Sequence, residues 1–138
     1  MISKKYNKLF ILAIGVLFSG IVLLYYLLDP SNSPYFPNCP FYQFTGYYCT
    51  GCGSQRALHD LLHLNLVGAI KHNALFIPAL LLGTYHFSIK YLPIKNADTF
   101  PDIVYHPKTP ILIFTVLILF TILRNIPKFP FSLLAPHL

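Results

Sequence analysis

From Leu9 to Leu28 the chain runs for twenty residues without a charged side chain. A helix of that length rises ~30 Å, which matches the hydrocarbon core of a bilayer. A cleaved secretory signal is the competing reading of such a run near an N-terminus. Its apolar stretch is shorter, and small residues precede the cut. Here the run closes on Tyr25-Tyr26-Leu27-Leu28-Asp29-Pro30, which suits an uncleaved anchor with its two tyrosines at the interface. Lys4, Lys5 and Lys8 stand before it.

Two further apolar runs follow. The first extends from about Asn73 to Leu92, with Pro78 in its opening turns, Lys90 near its end and Pro93 as its stop. Proline is tolerated in a first turn because the N–H it lacks has no intrahelical partner there. The second extends from about 110 to 126 and is uncharged until Arg124, which is expected to snorkel toward the headgroups. Only 10% of the 138 residues are charged, against about a quarter in an ordinary soluble domain. A water-facing surface built from this composition would be poorly solvated. The expected fold is therefore a single all-α integral membrane domain, 1–138, with three transmembrane helices at about 9–28, 73–92 and 110–126. Prolines punctuate the connectors, and a tail holding Pro127, Pro130 and Pro136 is expected to be extended. The net charge of +6 suits anionic lipid. It does not indicate nucleic acid, because no basic stripe interleaved with aromatics lies on a polar segment.

With the N-terminus inside, six lysines fall on the cytoplasmic side and four basic residues outside. The positive-inside rule then places the segment between the first two runs outward. That segment, 39–66, holds all three cysteines of the chain within fourteen residues: Cys39, Cys49 and Cys52. Gly51 and Gly53 flank Cys52 and permit a tight turn that brings Cys49 and Cys52 together. Ser54 is a candidate N-cap for a short helix ending near Leu64. At about 100° per residue, Arg56, His59, Asp60 and His63 share one face of it, with Leu58, Leu61 and Leu62 opposite. Such an amphipathic helix suits the membrane interface or the ends of the spans.

Four chemistries fit this segment. Cys49 and Cys52 can form a thiol–disulfide exchange pair, with a helix N-terminus and Arg56 stabilising thiolate. Any two of Cys39, Cys49 and Cys52 can form a structural disulfide, and spacing does not choose the pair. Zinc can be held by the three cysteines with a histidine such as His59, His63 or His72 as fourth ligand. In that reading Cys49-Thr-Gly-Cys52-Gly has the form of half a zinc knuckle. Arg56 can bind a lipid phosphate or another anion, or pair with Asp60 one turn away. Serine-hydrolase and phosphate-loop signatures are absent, and four acidic residues leave little acid–base chemistry.

Cys39-Pro40, Thr45-Gly46, Cys49-x-Gly51-Cys52-Gly53, Arg56-Ala57, Leu61-Leu62, Ala69 and Asn73 together resemble a family of small bacterial membrane proteins, domain of unknown function 2752. The resemblance covers roughly residues 39 to 90. Thr50, Gln55, Leu64-Asn65 and Ala74 depart from its usual proline, threonine, Gly-Asp and proline. It implies a multi-pass protein of the bacterial inner membrane and supplies no activity. The expected function is a non-catalytic accessory protein whose Cys-rich loop meets lipid or another membrane or envelope protein. A membrane thiol oxidoreductase and a metal-binding membrane protein are the alternatives.

Overall fold

The computed structural model of the chain describes residues 4–91 and 106–136. The polar connector carrying Lys95, Asp98 and Asp102 lies outside those residues. Among the described residues there are six α-helices, one short 3-10 helix and no strand: α1 Lys4–Leu27, α2 Pro40–Thr45, α3 Ser54–Leu62, α4 Leu66–His72, α5 Phe76–Tyr91, α6 Thr109–Arg124 and the 3-10 helix Phe131–Leu134. The three apolar runs form α1, α5 and α6, as their composition dictates. Pro78 falls in the first turn of α5, and Pro110 at the start of α6.

The long helices expose apolar side chains around much of their circumference. In α1, Phe10 is 68% and Phe18 67% exposed, and in α6 Ile111 is 69% exposed. Among the described residues no single helix is long and apolar enough to cross a membrane alone. The pair α4 and α5 meets that test together, as a broken segment bent by 104°. The bend sits at Asn73, whose φ of −159° and ψ of 101° end α4 in an extended residue.

Burial is concentrated away from the long helices. Ala57 of α3 and Ala69 of α4 are fully buried, and their small side chains let the two helices close on each other. Cys52, Asn73, Phe120 and Arg124 complete the buried set, with Pro136 from the tail. The core is thus a knot of short elements around the cysteine turn, to which the end of α6 contributes.

Several local expectations are corrected. Gly53, not Ser54, caps α3: its φ of 81° is left-handed, and Ser54 is the first helical residue. Residues 66–72 form a helix rather than a plain connector. Asn65 caps that helix, its Oδ1 accepting from the Gly68 N–H at 3.0 Å. The tail is not extended throughout, because 131–134 coil and Pro136 is buried. Arg124 does not snorkel; it is 1% exposed. Its alternatives to the headgroups are backbone carbonyls that the cysteine segment presents at the end of α6.

Candidate metal centre

Local geometry brings the three cysteines together in two steps. Cys39 stands just before α2, where Pro40 takes the first helical position and Gly46, at φ 72°, closes the helix with its N–H on the Tyr42 carbonyl. The chain then reverses and enters a turn in which the Cys52 N–H donates to the Cys49 carbonyl at 3.1 Å. The Cys49 N–H donates to Cys52 Sγ at 3.3 Å. This is the backbone-to-sulfur contact expected of a knuckle-like turn. Gly53 is required here because any Cβ at this position would run into the His72 carbonyl.

The sulfurs of Cys39 and Cys49 are 3.5 Å apart, and those of Cys49 and Cys52 3.4 Å. All three lie within 4.8 Å of one another. These separations exceed a disulfide bond of ~2.05 Å, and all three residues are free thiols. Cys52 is buried, while Cys39 and Cys49 are half-buried. Burial, reinforced by hydrogen bonds with the Cys39 and Cys49 thiols, pushes the Cys52 thiol up to about 12. Burial also acts to raise Cys39. Hydrogen bonds from Cys52, the Tyr42 backbone and Cys49 outweigh it and hold that thiol below its ordinary value. Cys39 is therefore the easier of these two to ionise. The Cys49-x-x-Cys52 spacing does not point to Cys39.

Three side chains from distant positions clamp the turn by its carbonyls. Arg124 donates to the Cys49 carbonyl at 2.7 Å and to the Cys52 carbonyl at 3.1 Å. Asn125 exchanges two bonds with the Tyr48 backbone, accepting from its N–H at 2.8 Å and donating to its carbonyl at 2.9 Å. Asn73, 1% exposed, donates to the Thr50 carbonyl at 2.8 Å, the Cys52 carbonyl at 3.3 Å and Ser54 Oγ at 2.9 Å. The Arg124 guanidinium also lies over the Phe120 ring, 4.8 Å from its centroid. No carboxylate pairs with this buried cation among the described residues, and its Nε has no hydrogen-bond partner there. A buried guanidinium without a counter-charge is costly. The cysteine sulfurs beside it are the groups able to supply negative charge.

The other sequence candidates are placed differently. His59 Nδ1 donates to the Tyr25 carbonyl at 2.8 Å, closing the end of α1. The His63 ring stacks on Tyr26 at 4.5 Å and sits 4.4 Å from the His59 ring. His59 and His63 thus dock on the end of α1, and neither imidazole joins the sulfur group. His72 turns toward Asp60, 3.5 Å away. Arg56 does reach the cysteines' surroundings. It lines, with Cys39, Cys49 and Cys52, a cavity of about 860 Å³ whose other walls include Phe36 and Tyr48.

Residues 39–87 match the model of a family described as Protein of unknown function (DUF2752). That segment is similar to the family. The DUF2752 segment contains the cysteine turn, α3, α4 and most of α5, together with Asn73. Arg124 and Asn125, which hold the turn from α6, lie outside it. No curated protein and no solved structure matches the chain.

Proposed function

We propose that the protein is a membrane-embedded accessory protein whose cysteine turn holds one thiophilic metal ion, zinc in the first instance. The observation that carries this reading is the convergence of three sulfurs within 4.8 Å. Tetrahedral zinc with Zn–S bonds of ~2.3 Å places its sulfurs about 3.8 Å apart, so the Cys39–Cys49 and Cys49–Cys52 pairs, at 3.5 and 3.4 Å, need only a few tenths of an ångström of expansion. The Cys49 N–H on Cys52 Sγ and the buried charge of Arg124 both favour the thiolate forms that a metal requires. Three thiolates on a divalent ion leave one negative charge, which Arg124 offsets.

The membrane part of the proposal is supported by the exposed apolar faces of α1, α5 and α6. Their large side chains would present far more contiguous apolar surface than a soluble monomer tolerates. Lys4, Lys5 and Lys8, at the start of α1, favour the N-terminus inside and the cysteine turn outside, at an inner membrane.

The test is metal content and thiol state of the full chain purified anaerobically, beside Cys39→Ser, Cys49→Ser and Cys52→Ser. Near-stoichiometric zinc in the parent and its loss in each variant is the expected result. Three reactive, metal-free thiols in the parent would overturn the reading. A second reading, thiol–disulfide exchange, is favoured by the lowered Cys39 thiol lying 3.5 Å from Cys49. A reducible Cys39–Cys49 or Cys49–Cys52 bond in place of zinc selects it. A membrane-impermeant thiol label, applied from each side in turn, reads the orientation.

A further inference from the structure

Among the described residues the group of close metal-binding side chains stops at three cysteines. Zinc and its relatives take four ligands, and a site with three protein ligands keeps an exchangeable position where a closed structural site has none. All three cysteines line the cavity of about 860 Å³, and the histidines that sequence spacing offers as a fourth ligand are engaged elsewhere. That volume lies within the usual range for small-molecule sites, ~300–1,000 Å³. Its wall is largely ring and proline surface from Phe36, Pro37, Tyr42 and Tyr48, with Arg56 as its basic residue.

Building on the metal reading above, we propose that the bound ion presents its fourth position to this cavity, and that a small anionic thiol occupies it. Three observations select that class. A trithiolate centre is soft and prefers another sulfur to water or carboxylate. Four thiolates on a divalent ion carry two negative charges, and Arg124 beneath the turn offsets one of them. Guanidinium also matches a carboxylate in its planar fork, so a thiol bearing a carboxylate meets both the metal and Arg56. The step is a ligand substitution without redox change. The thiol S–H gives its proton to solvent, a metal–sulfur bond forms, and a metal-bound water leaves.

The experiment uses the full chain in detergent, loaded with Co(II) under anaerobic conditions and titrated with 3-mercaptopropionate. Sulfur-to-cobalt charge-transfer absorbance is expected to rise saturably by roughly one-third as three Co–S bonds become four. Arg56→Gln is expected to weaken this response about tenfold while leaving the response to uncharged 2-mercaptoethanol unchanged, as loss of a charge-assisted bond implies. A cobalt-loaded protein whose spectrum ignores both thiols would overturn the open position yet leave the metal site standing. Equal weakening toward both thiols in Arg56→Gln would overturn the choice of an anionic ligand. Failure of the protein to take up cobalt or zinc at all would instead overturn the metal reading itself.

Discussion

Asn73 offers the most direct test of how the cysteine turn is held. Its amide donates to the Thr50 and Cys52 carbonyls and Ser54 Oγ, and its Oδ1 accepts from the Leu75 N–H at 3.1 Å. In Asn73→Ala the Cys52 carbonyl keeps Arg124, but the Thr50 carbonyl and the Leu75 N–H lose the side chain that satisfies them. Two stranded backbone groups cost about 2–4 kcal/mol. That cost falls on local opening of the turn, so the population exposing Cys52 should rise by about 30- to 700-fold, at ~1.4 kcal/mol per decade. Cys52 is 4% exposed, so alkylation of its thiol reports that opening. The assay follows Cys52 by peptide mass spectrometry at fixed pH in metal-free, reduced protein, with reagent dilute enough for reclosing to outpace labelling. Asn73→Asp keeps an acceptor for Leu75 but turns a carboxylate oxygen toward carbonyls, so it should label faster still. Asn73→Ala labelling within threefold of the parent, or Asn73→Asp milder than Asn73→Ala, would refute the clamp.

Arg124→Lys keeps the charge and loses the fork that spans two carbonyls. One lost charged hydrogen bond costs about 1.5–3 kcal/mol, read as roughly 10- to 100-fold faster Cys52 labelling, and parental labelling would contradict it. Gly53→Ala combines a left-handed φ of 81° with a Cβ driven against the His72 carbonyl and 3.1 Å from Pro136 Cβ. It should destabilise the chain by about 2–5 kcal/mol in a detergent unfolding titration, and an unchanged midpoint would sink the assignment of Gly53 as cap. The Asp29 carboxylate is held below its ordinary 3.8 chiefly by the Ser31 N–H, which donates at 2.8 Å, with Asn32 assisting at 2.8 Å. The stabilisation of this turn is therefore complete above the ordinary value and lost as pH falls through the lowered one. Carboxyl NMR should place the Asp29 midpoint below 3.8 in the parent and raise it toward that value in Ser31→Pro, which has no N–H to donate.

What was legible in the sequence is what local pattern encodes. The uncharged runs delimit α1, α5 and α6, because a helix of such composition has few other ways to satisfy its backbone in an apolar setting. The glycines around Cys52 announce a turn, but the residues that spacing groups on one face part company: His59 and His63 meet the end of α1, Asp60 meets His72, and Arg56 lines the cysteine cavity. The partner of His59 and His63 is not encoded locally, since α1 ends far away in sequence. The clamp was the part that periodicity does not encode. Arg124 has the profile of a snorkelling residue, and only the return of the cysteine segment to the end of α6 gives it buried carbonyls to bind. An Arg-Asn pair closing an otherwise uncharged run was the available signal. Asn73 is visible as the start of the second apolar run and as one position of the family resemblance, without a role at the turn.

Arg124 follows Cys49 by 75 residues, and that interval is also a span of time. At a synthesis rate of about 5–20 residues per second, the cysteines precede their clamp by roughly 4–15 s. During that interval the nascent chain carries a cysteine turn whose carbonyls await the end of α6. The hold on the turn is therefore assembled in sequence order, Asn73 first and the end of α6 afterwards.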